Sequence, residues 1–472
     1  MHRDITAHFD QVAQSDRFAR RVQSGFHHIL RRIIRHHVQP QRAVLECGCA
    51  RGELLRGVEP GVGVGIDLSE AMLSQARASE PHNAAIRYLQ ADIQEGSPAG
   101  QFDYILWDFL AGHLQDTQVA LERLHRSAGP RTRLVITSLN TLWLPVLKLG
   151  QACGFTVRHP DVNWLAESDL VNLLELSGWE VVTTKTEILL PFRVPLLNAI
   201  FNRCLVRLPG VRHLGSTLMI IARPKRSIEP KNNITCTVVV PARNEAGNIR
   251  PALERIAPMG AWTEVIFVEG NSTDDTWATI EREVAAYRGP LRVRAIKQPG
   301  KGKWDAVRAG FAIATGDVLV IQDADLTAPP EDLPKFFAAI CDGTAEFANG
   351  SRLVYPMEKQ AMRFLNLLGN KFFALSLSYV LGQSIKDSLC GTKMLLKSDY
   401  ERIMERIKSL GDFDPFGDFN LLFGAALLNL KIRDIPVRYK DRTYGETNIS
   451  RFKHGWLLLK MTAFGLWHIR WL

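Results

Sequence analysis

Between Thr237 and Pro330 the chain repeats one pattern: a short apolar, β-branched run, then a polar loop, then a helix-like segment. In VVVPARNEAGNI a strand from Thr237 to Val240 breaks at Pro241 and continues through Ala242, Arg243, Asn244 and Glu245. A second run, Glu264 to Val268, ends in EGNSTDDT, and GKGKWDAVRAGFAIATGD sets Gly300 to Lys303 ahead of an amphipathic helix. The series closes with GDVLVIQDADLTAPP. Strands that alternate with helices are joined by crossovers, so the pattern confines this half to a parallel, doubly wound α/β sheet. Such a sheet binds its ligand beyond the carboxyl ends of the strands, where all four loops meet at one edge.

The last loop carries the first chemical signal. The run Val318 to Ile321 delivers Asp323 and Asp325 into a proline-stopped loop. Two carboxylates at i, i+2 are able to share a divalent cation with a diphosphate. A lone Asp-x-Asp triplet equally suits a solvated loop, and the neighbouring loops are what favour the metal.

Together with NGSRL at 349–353, KDSLCGTKML at 386–395 and RTYGETN at 442–448, these loops resemble the family 2 glycosyltransferases with the GT-A fold. Within that family they are most similar to dolichol-phosphate mannose synthases and related polyprenyl-phosphate sugar synthases. The resemblance covers about 234–455. It implies a nucleotide-sugar donor, GDP-mannose or a UDP-hexose, held by Pro241, Ala242, Arg243, Asn244 and Glu245, with Glu269 and Asn271 at base or ribose. It also implies Asp323, Ala324 and Asp325 on the nucleotide-sugar, with Asp323 and Asp325 catalytic and holding an Mg2+ or Mn2+ ion, and Lys303 on phosphate or, in the plainer reading, solvated on a turn. Two positions depart from the family pattern: Glu269-Gly270 replaces the usual Asp-Asp, and Thr327 stands where the mannose synthases carry a metal-contacting Gln.

The implied reaction inverts the anomeric carbon, because the acceptor attacks from the face opposite the departing diphosphate. A polyprenyl-phosphate acceptor is already an anionic nucleophile and needs cations, for which Arg352, Arg363, Arg442 and Lys453 are the candidates. A saccharide hydroxyl needs a base instead. Asp418, in DPFGDFNLLFGAA, stands where many family 2 enzymes place one, and it equally suits a helix cap.

The first half repeats the strand–loop–helix logic with other loops. VLECGCARGELL at 44–55 is a strand with a Gly-containing turn, and GVGIDLSEAML at 63–73 is a strand ending in Asp67. LQADI at 89–93 supplies Asp92, and FDYILWDFLAGHL at 102–114 supplies a fourth strand. This order resembles class I S-adenosylmethionine-dependent methyltransferases, with a Rossmann-like fold, over about 40–140 and more loosely to 223. The resemblance implies S-adenosylmethionine held by Glu46, Gly48 and Gly52 at the methionine moiety, Asp67 on the ribose, and Asp92 with Ile93 near the adenine. Ala50 stands where a Gly is common. Asp108, His113 and Asn140, after the fourth and fifth strands, are candidates to align or deprotonate the methyl acceptor, His113 being alternatively a plain polar loop residue.

The expected organisation is α/β throughout: a methyltransferase domain at 1–223, a linker at 224–233, a glycosyltransferase domain at 234–455 and an amphipathic helix at 456–472. HHILRRIIRHH is expected to cover the first domain as an amphipathic helix. The net charge of +9 is spread over both halves, which argues against nucleic acid and suits anionic cofactors and lipid headgroups. The seven cysteines show no zinc spacing and read as reduced thiols in a cytoplasmic protein, and Met1 to Asp10 is too polar for a signal peptide. Residues 362–381 and 456–472 are too short or too charged to span a bilayer. Trp456, Trp467 and Trp471, interleaved with Lys460, His468 and Arg470, fit either a peripheral helix on the inner face of the cytoplasmic membrane or a core-packed terminal helix. The whole reads as a bifunctional transferase of a cell-envelope glycan pathway, with a nucleotide-sugar and a polyprenyl-phosphate or other envelope glycan acceptor as partners. In the alternative, the first domain is a non-catalytic binding module and the second glycosylates a saccharide hydroxyl.

Overall fold

Alternation along the central strands decides how both halves are layered. A computed structural model describes residues 2–14, 25–79, 84–153, 163–191, 194, 196–208, 210–225, 233–354, 364–411, 417–440, 442, 444 and 451–470, with backbone only for 2–5, 364–368, 409 and 451–454. The chain forms two compact units, the first ending at Lys225.

In the first unit the strands are β1 (Ala43–Cys47), β2 (Val62–Asp67), β3 (Ile86–Gln90), β4 (Phe102–Asp108), β5 (Ala128–Leu139), β6 (Trp179–Glu187) and β7 (Thr217–Pro224), ordered β3-β2-β1-β4-β5-β7-β6. Leu45, Cys47, Ile105 and Trp107 pack into one helical layer, while Val44, Tyr104 and Leu106 face the other. The helix Gly25–His37 joins that second layer through Leu30, Ile33 and Ile34, as its periodicity predicts. Strand order reverses between β1 and β4, so the crevice lies beyond their carboxyl ends.

The second unit contains β8 (Cys236–Ala242), β9 (Thr263–Glu269), β10 (Arg292–Lys297), β11 (Val318–Ile321), β12 (Phe347–Ser351), β13 (Lys393–Leu396) and β14 (Ile432–Pro436), ordered β10-β9-β8-β11-β13-β12-β14. Val239, Val268 and Ile321 face one core, and Val238, Val240, Val318 and Val320 the other.

Neither sheet is wholly parallel. β7 runs antiparallel to β5 and β6, and β13 runs antiparallel to β11 and β12. Hydrophobic alternation reports which side chains are buried but is the same for either strand direction, which is why sequence pattern missed both reversals. The reversal of β13 pairs Lys393 with Ile321 and so brings a lysine to the carboxyl end of β11.

The helix Arg451–Gly465 is continuous across position 455, is prolonged by Leu466–Arg470, and packs Leu458, Met461 and Ile469 into the core beside Leu377 and Val380 of the helix Phe364–Leu381. Its outer face leaves Trp456 and Trp467 exposed. Among the described residues no helix is long and apolar enough to cross a membrane. All seven cysteines are free thiols.

Two candidate active sites

In the second unit, the loops after β8, β9 and β10 are tied into one shelf. Asn244, at φ 55, donates its amide to Ser272 Oγ (3.0 Å) and accepts the Thr273 amide on Oδ1 (2.8 Å). The Glu245 amide donates to Thr276 Oγ1 at 2.9 Å, while Asn271 Nδ2 and Gln298 Nε2 both donate to the Gly300 carbonyl, at 3.1 and 3.0 Å. Pro241 and Ala242 are the last residues of β8, and Arg243 is exposed at the rim. Glu269 is buried, and its carboxylate accepts the Ser272 amide at 2.5 Å.

The aspartate loop is held from behind by Gln322, whose buried amide donates to the carbonyls of Asp323 (3.1 Å) and Ala328 (2.8 Å). Leu326 sits at φ 53, a costly conformation for a branched residue that the surrounding loop imposes. Ala324 is buried between the two acids. Asp323 Oδ1 lies 2.6 Å from Lys303 Nζ, and Asp325 Oδ2 lies 2.6 Å from Arg442, which also reaches Glu245 Oε1 at 3.2 Å. Asp325 Oδ1 accepts from Thr327 Oγ1 at 2.9 Å, so Thr327 orients the acid.

Electrostatics follow from that crowding. Burial alone would raise the Asp323 pKa, but Lys303, with Lys393 and Arg352 behind it, holds it below the usual carboxylate value. Withdrawal from water would lower Lys303, yet Asp323, Asp418 and Asp325 keep it above the ordinary lysine value. Glu245 is raised by burial, which outweighs Asn248 and Arg442.

Two residues of this site escaped the sequence reading. Lys393 is fully buried and donates to Asn349 Oδ1 (3.0 Å) and the Cys390 carbonyl (2.7 Å), with Asp418 Oδ1 at 3.4 Å. Asp387, fully buried, forms a two-pronged pair with Arg352 at 2.7 and 2.9 Å and is held below its usual value because Arg352 outweighs the burial that would raise it. The available signal was a lysine opening the apolar run KMLL and an aspartate within KDSLCGTKML.

Arg352 is thus committed to Asp387 and also faces the Tyr439 ring at 5.2 Å. Asp418 is the first residue of the helix Asp418–Leu427, behind Gly417; its side chain caps nothing and faces Lys393 instead. Arg363 lies outside the described residues, and Lys453 is described only by its place in the helix Arg451–Gly465.

The pair Asp323 and Asp325 fits a divalent cation that arrives with a diphosphate. No cluster of three His, Cys, Asp or Glu is assembled among the described residues, so an ion held by this pair would need further oxygen ligands from outside the chain. Any side chain at Gly391 would collide with Asp323 Oδ2 and Lys303 Nζ, so glycine there keeps the space over the acid open.

In the first unit, Gly48, Ala50 and Gly52 all take left-handed φ, at 71°, 45° and 69°, and form the turn after β1. A Cβ at Gly52 would strike the Tyr88 hydroxyl, whereas Ala50 is accommodated and donates its amide to Asp67 Oδ2 at 2.8 Å. Asp67 Oδ1 accepts the Ser69 amide at 2.9 Å. Glu46 is buried and accepts the Leu55 amide at 2.9 Å; burial, reinforced by Asp108, pushes its pKa well up. Asp108 is pushed up to about 6 by withdrawal from water, against a hydrogen bond from the Thr137 hydroxyl.

Asp92 Oδ1 accepts the Gln94 amide at 2.8 Å, and Ile93 beside it is buried. The helix His2–Ala13 lies over these loops: Ser69 Oγ donates to Asp10 at 2.5 Å, and Arg51 and Gln75 donate to the Ala13 carbonyl at 2.8 and 2.9 Å. His113 meets Phe9 of that helix edge-on at 5.4 Å. Asn140 is spent on structure, accepting the Leu142 amide at 3.2 Å and donating to the carbonyls of His213 (2.9 Å) and Gly215 (2.7 Å), which leaves it unsuited to proton transfer. Glu46, Asp67 and Asp108 have no ion-pair partner among the described residues, a donor set that fits a cationic cofactor.

Comparison with known proteins agrees with both geometries. Residues 237–404 match Glycosyl transferase family 2, and residues 18–184 match a Methyltransferase domain. The chain is 31% identical over 210 residues to the dolichyl-phosphate hexose transferase of Haloferax volcanii, covering 44% of this chain and 82% of that one. It is 31% identical over 221 residues to the dolichol-phosphate mannosyltransferase of Pyrococcus furiosus, covering 45% and 59%. Among solved structures it is similar to an S-adenosylmethionine-dependent methyltransferase from Mesorhizobium loti, at 19% identity and a TM-score of 0.31, over 40% of this chain and 92% of that one. The chain spans 56% to 62% of the length of the first curated relatives it matches. With a matching domain and a relative covered over most of its length, the chain belongs to the family 2 glycosyltransferases, and it carries a methyltransferase domain ahead of that domain.

Proposed function

We propose that the second unit moves a hexose from a GDP- or UDP-sugar to a polyprenyl phosphate, with inversion, and that the first unit uses S-adenosylmethionine to methylate a component of the same envelope glycan pathway. The observation that carries this is the set of four acid–cation pairs at one sheet edge: Asp323 with Lys303, Asp325 with Arg442, Asp387 with Arg352 and Asp418 with Lys393. A site with that many cations suits two phosphorylated partners at once, a nucleotide and an acceptor phosphate. The two relatives named above carry dolichol- or dolichyl-phosphate in their own names, which supports the same acceptor class.

The roles follow from position. The shelf formed by Arg243, Asn244, Glu245, Glu269 and Asn271 would seat the nucleoside. Asp323 and Asp325 would hold Mg2+ or Mn2+, which when bound neutralises the charge of the leaving diphosphate. Lys303, freed from Asp323 by the cation, would turn to phosphate. Arg442, exchanging Asp325 and Glu245 for the acceptor, would place the acceptor oxygen opposite the leaving group, with Arg352, Arg363 and Lys453 as further candidates. In the first unit Glu46, Gly48, Gly52, Asp67, Asp92 and Ile93 would hold S-adenosylmethionine, which supplies the methyl group, and Asp108 would take a proton from a hydroxyl acceptor. The exposed Trp456 and Trp467 would rest the chain on the inner face of the cytoplasmic membrane.

A second reading has one observation in its favour: among the described residues the buried Asp418 Oδ1 faces Lys393 at 3.4 Å but accepts no hydrogen bond, which leaves it able to take one from a hydroxyl acceptor. The test is transfer by the full-length chain with Mg2+ or Mn2+, a panel of GDP- and UDP-sugars and a short polyprenyl phosphate, read by mass spectrometry beside Asp323→Asn. A sugar-phosphate lipid made only by the unsubstituted chain supports the proposal. Donor hydrolysis without lipid product, together with saccharide transfer abolished by Asp418→Asn, favours the second reading. Calorimetry with S-adenosylmethionine tests the first unit, and no heat at high concentration makes it a binding module.

A further inference from the structure

The connections on either side of β6 give the first unit an apolar face left open among the described residues. The helix Leu144–Ala152, LPVLKLGQA, has no buried residue, although an apolar helix ordinarily owes its place to the burial of a face. Leu142, Val146 and Leu149 are exposed there, Leu149 with 66% of its surface open. In the connection between β6 and β7, Leu196 (78% open), Phe201 and Leu214 are exposed as well. Hydrogen bonds join the two connections: Asn140 to the carbonyls of His213 and Gly215, and Trp143 Nε1 to the Leu214 carbonyl at 2.7 Å. Exposed apolar side chains on two connections joined in this way favour a contact surface over scattered surface leucines.

Charge selects the occupant. The described residues within 140–153 and 188–216 include no Asp or Glu, yet they carry Lys148, Arg203, Arg207 and Arg212. Lys148 and Arg212 are exposed, whereas Arg207 is buried 3.6 Å from Glu187. Protein interfaces are depleted in lysine and ringed by a mixed polar rim. Bulky aliphatics among cations of one sign instead suit a surface that inserts its side chains at the acyl boundary and sets its charges among anionic headgroups. We propose that this face of the first unit docks on an anionic lipid bilayer. It begins at Asn140, just beyond Thr137, the residue that donates to Asp108. A methyl acceptor anchored in that bilayer therefore arrives at the carboxyl edge from the lipid side. The proposal is independent of the glycosyltransferase reading and of Trp456 and Trp467, which belong to the second unit.

The face contains its own reporters: Cys153, which ends the helix Leu144–Ala152, and Cys204 are exposed, while the other cysteines are buried. The test labels the full-length chain at these thiols with an environment-sensitive maleimide and titrates it with vesicles of phosphatidylglycerol mixed with phosphatidylcholine, or of phosphatidylcholine alone. The expected result is a blue shift with the anionic vesicles, weakened about tenfold in Leu149→Asp/Leu196→Asp and, as an independent variant, in Lys148→Glu/Arg212→Glu. Unlabelled protein is sedimented with the same vesicles in parallel. Sedimentation with an unshifted reporter places the lipid contact elsewhere and overturns the proposal. A shift that follows protein concentration without vesicles identifies a second copy as occupant and also overturns it. Thiols that do not react in the folded chain show that the face is covered by the protein itself, and the proposal then fails as well.

Discussion

The two carboxyl edges of this chain are built from similar strands but opposite electrostatics. In the second unit four acids of the site, Asp323, Asp325, Asp387 and Asp418, each have a cation at 2.6 to 3.4 Å. In the first unit Glu46, Asp67 and Asp108 are met by backbone amides and one hydroxyl, and all three are raised by burial. An edge rich in paired cations is ready to exchange carboxylates for phosphates, whereas an edge of underpaired acids is ready for a positively charged ligand. A doubly wound fold thus fixes where a ligand goes, and the charges on its loops fix which ligand it is.

The comparison is broken most severely by Asp325→Asn. If the paired edge serves phosphates and their cation, sugar transfer falls about a thousandfold or more while S-adenosylmethionine binding is unchanged; transfer within tenfold of the parent chain would remove Asp325 from the chemistry. Next in size is Arg352→Met, which strands the fully buried Asp387. Losing one partner of such a pair costs about 3–5 kcal/mol, read by calorimetry as a lowered transition of the second unit. The double change with Asp387→Leu should recover much of that loss, and failure to recover would mean that the arginine acts through packing rather than charge.

On the other edge, Asp108 takes its proton at about 6 in the folded chain, against about 3.9 in an unfolded one. Its contribution to stability is therefore fully present below the unfolded value and lost as the pH rises through about 6. Asp108→Asn should raise the unfolding free energy at pH 8 by roughly 3 kcal/mol and abolish methylation of a hydroxyl acceptor. Unchanged stability between pH 4 and 8 in both proteins would contradict the burial of this carboxyl. The smallest effect is expected from Thr137→Val, which removes the hydroxyl from Asp108 at a cost of about 1 kcal/mol and moves the pH midpoint of methylation upward. A downward move would show that the hydroxyl does not stabilise the ionised acid.

Much of this was legible in residues that break a pattern. Asp323 and Asp325 stand out because an apolar run ends at them, and Gly48 and Gly52 because they follow a strand. Lys393 and Asp387 were not legible as site residues, since their roles depend on β13 running against its neighbours, a direction that alternation does not record. Glu269 was legible as a strand-end acid but not as one whose carboxylate is turned to its own loop. The helix His2–Ala13 read as a polar beginning, and only its contacts with Ser69, Arg51 and Gln75 show that it covers the cofactor-side loops.

The reversed strand also sets one cation of the site apart from the other three. Lys303 opens a helix, Arg352 follows the end of β12 and Arg442 lies beyond β14, so none of the three lies within a strand. Lys393 is fastened by ladder bonds to β11 on one side and β12 on the other. Of the four cations Lys393 alone is built into the sheet, which makes it the fixed point of the cationic edge.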